Sequence, residues 1–145
     1  MQQAGRVAHR YLAAAFVAAV IVQFFLAGLG AFRTQHDASI GSVGDKRFED
    51  NFSNHVMLGH LLLIGGALVF LAALAGRLGR RRALLSLALP LLVELQSVFA
   101  NVGGSAFRAL HPVNGCLILG IAGVLAHRAW REREHAAEPV PLPSA

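Results

Sequence analysis

The chain has 145 residues, 55% of them apolar and 14% charged, with a net charge of +5. Soluble domains carry about a quarter charged residues, and here the charges cluster so that long stretches hold none, which excludes an ordinary water-soluble core and reads as an integral membrane protein. The single cysteine, Cys116, excludes an internal disulfide.

The first predicted span runs from Tyr11 to Phe32, with Gln23 as its one polar side chain. Its apolar stretch exceeds a signal-peptide h-region and ends in no clear small-x-small site, so it is read as a retained helix. The connection over 35–54 is polar and glycine-bearing, and is expected either to lid the outer face of a site or to be solvated. The second span, Val56 to Ala75, has His55 at its mouth and His60 inside. The third, Ala83 to Val102, holds Pro90, Glu94 and Gln96, and the fourth, Ala109 to Ala126, holds His111 and Asn114. Each is close to the roughly 20 residues that cross a hydrocarbon core of about 30 Å. Backbone groups in lipid must be satisfied within the segment, which favours helices. The expectation is an all-α, antiparallel four-helix membrane bundle in one domain, residues 1–135, with a disordered Pro-rich tail at 136–145.

Charge predicts orientation. Arg77, Arg80, Arg81 and Arg82 fill the link between the second and third spans without an acid. Arg6 and Arg10 precede the first span, and Arg128, Arg131 and Arg133 follow the fourth. The first connection instead mixes both signs. The positive-inside rule then puts both termini in the cytoplasm. The basic balance is topology, and no nucleic-acid partner is implied.

The two halves look alike. Gln23-Phe-Phe-Leu-Ala-Gly-Leu-Gly at the end of the first span resembles Gln96-Ser-Val-Phe-Ala-Asn-Val-Gly at the end of the third. His55-Val-Met-Leu-Gly59 at the start of the second resembles His111-Pro-Val-Asn-Gly115 at the start of the fourth. The order matches too, as in two duplicated hairpins related by an axis along the membrane normal. The alignment pairs His55 with His111, and His60 with Cys116.

In an antiparallel bundle the second and fourth helices lie diagonally opposed, each offering one imidazole at similar depth. A flat macrocycle between them takes one axial nitrogen on each face of its iron. Gly59 and Gly115 lie one turn deeper on the same faces, where the absence of a side chain leaves room for a porphyrin. The candidate cofactor is a b-type haem held by His55 and His111. Counting residues from the cytoplasmic arginines instead favours His60, which stays an alternative ligand. Pro112 makes His111 a candidate helix cap, with Pro112 at the first helical position.

Other polar groups join the candidate site. Glu94 sits near mid-depth, where an ionised acid is costly; with His60 it is expected to pair inside the bundle as a proton or quinone site, or to be structural. Gln23 and Gln96 are expected to bond across the bundle and border the cofactor. Arg33 and Arg108 flank the outer ends of the first and fourth spans, placed to meet haem propionates or simply to anchor helices. His9, His36, His127 and His135 receive no role. Faces such as Gly65-Gly66 suit packing within one bundle or between copies of a homo-oligomer.

Two resemblances attach to these motifs. Gln-Phe-Phe-Leu-Ala-Gly-Leu-Gly-Ala-Phe at 23–32, the His-x-x-x-Gly at 55–59, Leu-Gln at 95–96 and Leu-His-Pro-Val-Asn-Gly at 110–115 resemble a family of small bacterial four-span membrane proteins of unknown function. That resemblance implies a bacterial inner-membrane protein and supplies no activity. More distantly, the chain is similar to one four-helix half of haem A synthase, which has His-x-x-x-Gly on its second helix, a Gln near the end of its third and a Leu-His start to its fourth. This likeness implies haem ligation at His55 and His111 only. Phe52 stands where that family has a chemically important acid, so haem modification is not implied.

The reading that follows is a haem-binding protein for electron transfer, between a membrane quinol and an outer-face redox partner. Whether it catalyses a reaction is left open. The alternatives are a cofactor-free accessory or assembly protein, and a small transport or metal-binding bundle.

Overall fold

The structure, a computed structural model, describes residues 2–42 and 44–137, with the side chains of 134–137 left aside. It is all-helical. The elements are α1 (Gln2–Ser39), α2 (Asp45–Ala75), α3 (Arg80–Asn101), the one-turn α4 (Ser105–Arg108) and α5 (Leu110–Ala137). Four of these are long and apolar enough to cross a membrane.

The helices outrun the apolar spans. A helix the length of α1 (Gln2–Ser39) extends about 57 Å at about 1.5 Å per residue, against about 30 Å of hydrocarbon. The 35–54 connection is therefore not a loop: α1 reaches Ser39 and α2 starts at Asp45. Its polar residues are those of helices standing in water. Asp37 joins them, accepting from Arg47 at 3.2 Å and from the Asn51 amide at 2.9 Å. Those bonds, Asn51 first and Arg47 after it, hold the Asp37 carboxyl below the usual carboxylate range. A depressed carboxylate stabilises the fold above its unfolded pKa of about 4, and this contribution is lost as pH falls through the lower folded value. Protection factors over 37–42 and 44–51, taken against the intrinsic exchange rate at each pH, are accordingly expected to fall on acidification from neutral pH to below 4, and to show no such step in Asp37→Asn; pH-independent protection factors in the parent protein would refute this.

The fourth span also starts differently from expectation. His111 is no cap: α5 begins at Leu110, so His111 and Pro112 lie in its first turn. Proline costs nothing there, because the first four N–H groups of a helix have no internal partner anyway. The helix then continues to Ala137, well past Ala126, and the rest of the proposed tail lies outside the described residues.

Packing puts α1 and α3 each against both α2 and α5, so α2 and α5 are diagonal partners, as the hairpin order predicts. Ala13, Phe16 and Val20 of α1 meet Leu62 and Val69 of α2, Leu89 and Val93 of α3, and Ile118, Ala122 and Leu125 of α5 in the core. Outside it, large side chains such as Phe25, Leu91 and Val113 are more than half exposed on the bundle's outer faces. Apolar surface on this scale suits lipid. In lipid, close approach and interhelical hydrogen bonds hold helices together. Gly66 packs on Pro90, and Gly65 lies under the Phe16 ring, so this glycine pair serves the interior of one bundle.

At the arginine-bearing end, Tyr11 and Trp130 meet edge to face with Arg10 over both rings, at 5.0 and 5.1 Å. Aromatic residues with a cation at this level are typical of a membrane–water boundary. Arg82 of α3 and Glu132 of α5 form an ion pair nearby. His9, given no role above, is fully buried, with its Nε2 3.2 Å from the Ser86 hydroxyl of α3.

Candidate functional site

Toward the end of the bundle away from the arginines, the four long helices enclose a cavity of about 600 Å³. Sites for small molecules and cofactors span roughly 300–1,000 Å³. Gln23, His55, Gly59, His60, Glu94, Gln96, His111 and Gly115 all line it. Arg33 and Arg108 do not. Arg33 lines a separate, open depression with His36, Asp37, Arg47 and Asp50, and Arg108 is exposed on α4. Neither is brought to the cavity to meet an anionic group there.

The two histidines meet across the diagonal. Their ring centroids are 6.0 Å apart and the ring planes are inclined by 51°. Each ring is held in the same way. His55 Nδ1 lies 3.2 Å from the backbone carbonyl of Gln23, and His111 Nδ1 lies 3.1 Å from that of Gln96. A carbonyl oxygen only accepts, so Nδ1 carries the proton in both rings and Nε2 of the neutral imidazole keeps its lone pair. Fixing a histidine by its second nitrogen is how proteins orient this side chain as a metal ligand.

The glycines complete the repeat, in a role different from the expected one. A Cβ on Gly59 would lie 3.4 Å from Gln23 Nε2, and one on Gly115 would lie 3.4 Å from Gln96 Nε2. A Cβ at either position would thus stand in ordinary contact with the amide of the neighbouring helix's glutamine, rather than facing only open space, and at Gly115 the Phe24 ring of α1 comes closer still, at 3.1 Å. The unit is a glutamine helix whose carbonyl takes a histidine proton and whose side chain rests over the glycine four residues further on. It occurs once in α1–α2 and once in α3–α5.

The glutamines do not bond to each other across the bundle. Gln23 donates at 2.8 Å to the His55 carbonyl, and its Nε2 also stands 3.4 Å from His55 Nε2. Gln96 Oε1 accepts from Asn114 at 2.7 Å, and Asn114 also lies 2.8 Å from the Leu92 carbonyl. Bonds between neighbouring helices prevail because each glutamine sits at a helix pair's contact, not on the cavity's axis. Asn114 is named above only as a polar residue of the fourth span and given no role, although its place three after His111 in an apolar run marked it. Its counterpart in the other half is Leu58, which leaves the buried Gln23 Oε1 without a partner. Asn114→Leu is expected to destabilise the bundle by about 1 kcal/mol, typical of interhelical bonds in membranes. Thermal unfolding in detergent reads this, and an unchanged midpoint would contradict it.

His60 and Glu94 are also not the interior pair expected. Both are exposed along the cavity, on α2 and α3, and no hydrogen bond joins them among the described residues. Among those residues no group of three or more His, Cys, Asp or Glu side chains is gathered to hold a metal ion.

No curated protein and no solved structure matches the chain, so its likeness to haem A synthase rests on the shared motifs alone. The match of residues 23–106, more than half its length, places the chain in a family of unknown function, DUF6220.

Proposed function

We propose that the protein binds one b-type haem between His55 and His111 and transfers electrons through it. The observation that carries this reading is the opposed pair of imidazoles in one cavity, each with Nδ1 tied back to a backbone carbonyl. Metal–imidazole bonds of about 2 Å on opposite sides of one ion put the ring centroids roughly 6 Å apart, close to the observed 6.0 Å. Two ligands are too few for a bare structural cation, which takes about four. A porphyrin brings four nitrogens of its own and asks the protein for two.

When bound, the haem supplies reversible one-electron chemistry at its iron. The chain's residues hold and tune it. The carbonyls of Gln23 and Gln96 raise the basicity of the two imidazoles and fix their orientation. Val20, Leu62, Val93 and Ile118 around the cavity exclude water and so favour the less charged state of the site. The amide of Gln23 beside His55 Nε2 has to give up that contact when a metal takes the nitrogen, while its bond to the His55 carbonyl is free to remain.

The same amide is what favours the rival reading, a cofactor-free accessory protein in which Gln23 and His55 serve only helix packing. Purification in mild detergent from haem-replete cells separates the two. Haem near one per chain by pyridine haemochrome assay supports the proposal, and a colourless, monodisperse, thermally stable protein overturns it. The cell membrane as its location, with the arginine-bearing end in the cytoplasm, belongs to this same proposal; it is supported by the four apolar helices and the charge asymmetry.

A further inference from the structure

The cavity has a side door. Near mid-bundle α2 and α3 touch closely, where a Cβ on Gly66 would lie 3.0 Å from the Pro90 nitrogen. Beyond that crossing, away from the arginines, the two helices turn Val56 and His60, and Glu94, Ser97 and Asn101, to the cavity wall, and all five are exposed. The α1 and α5 walls are closed more fully: Val20, Gly115 and Ile118 are buried and Ala27 half-buried there, against exposed Phe24 and Pro112. The opening is therefore the α2–α3 seam. Glu94 lies about 6 Å along α3 from Pro90, and His60 about 9 Å along α2 from Gly66, at about 1.5 Å per residue. Both lie within spans apolar enough to cross a membrane. The seam thus faces hydrocarbon with a carboxyl and an imidazole on its rim. Ionisable groups at that depth are costly and mark a functional path.

We infer that a lipid-borne quinol enters through this seam and is oxidised there, an inference that rests on the haem reading. A ligand arriving from hydrocarbon is apolar over most of its surface. At the rim it meets two proton acceptors, Glu94 and His60, and further in it meets the histidine pair. Aromatic diols are the lipid-soluble class that releases protons and electrons together. The two O–H bonds of the quinol break, one proton passing to the Glu94 carboxylate and one to the His60 imidazole. Its two electrons would leave one at a time, through the haem that His55 and His111 would hold, to a one-electron carrier protein, and the diol becomes the quinone. Ser97 and Asn101 offer hydrogen bonds to the ring oxygens along the same wall.

Photolabelling with an azido-quinone in native membranes tests this without relying on turnover, and haem is read by absorbance in the same samples. Label is expected on segments 56–63 and 94–101, suppressed by excess unlabelled quinone and by Ala100→Trp, a substitution that puts a bulky ring in the cavity's lining. Glu94→Gln is expected to slow quinol-dependent haem reduction on the order of 100-fold, as for loss of a proton acceptor, with absorption bands unchanged. Competable label on these segments in haem-free protein sustains the entry site while overturning the haem reading. Bound haem with label elsewhere, or label indifferent to competitor and to Ala100→Trp, overturns the quinol site and leaves the haem reading standing.

Discussion

His111→Ala is expected to abolish stable haem binding, and His55→Ala to do the same. In the proposed site each imidazole would supply one of the two bonds that the protein contributes, and among the described residues no third imidazole stands at the same level on either face. Losing a partner that merely orients a ligand costs about 10–100-fold in metal affinity. Losing the ligand itself is expected to cost more, so that haem is washed out in purification or left with an open coordination position. His60→Ala is the matched control. That residue lines the same cavity but is exposed at its α2–α3 rim, and its removal is expected to leave the spectrum intact. Haem content and absorption spectra of the three variants check the assignment. Loss of haem in His60→Ala with retention in His55→Ala would make His60 the ligand.

The second large effect is mechanical. A Cβ on Gly5 would lie 2.4 Å from the Gly76 nitrogen and 2.7 Å from the Ala75 carbonyl carbon. Both obstacles are backbone, so no rotamer change relieves them, and the start of α1 must move off the end of α2. Gly5→Ala is expected to destabilise the bundle by about 1–3 kcal/mol, the range for overpacking. Gly28→Ala is the control, because nothing lies within 4 Å of a Cβ there and alanine favours a helix by about 1 kcal/mol over glycine. Thermal unfolding in detergent should separate the two variants in opposite directions. Equal midpoints would mean that the α1–α2 contact at Gly5 and Gly76 is not made.

Much of the fold was legible because lipid leaves few choices. Long apolar runs must be helices, and short connections make sequential helices neighbours, which opposes α2 to α5. The alignment of His55 with His111 was legible because the repeat preserves the glutamine, the histidine and the glycine together. What the glycine meets was not, since its neighbours, the glutamine amide and at Gly115 also the Phe24 ring, come from other helices and appear only when the helices are packed. That 35–54 is solvated was legible in its polarity; that helices run through most of it was not, because polarity marks water, not loop, once a helix leaves the hydrocarbon. His9 received no role because it lies before the apolar span, although α1 already runs through it. Rotation also keeps His60 and Glu94 out of the bundle's interior. Five residues beyond His55, at about 100° per residue, His60 is turned by roughly 140°, so a helix that aims His55 at the diagonal aims His60 at the α2–α3 seam.

The haem reading stands or falls on which atoms ligate the iron. Near-infrared magnetic circular dichroism of the purified ferric protein identifies the axial pair directly. The signature of two imidazoles, lost in both His55→Ala and His111→Ala, is the predicted result. A histidine–methionine or histidine–water signature, or no haem to measure, would contradict it.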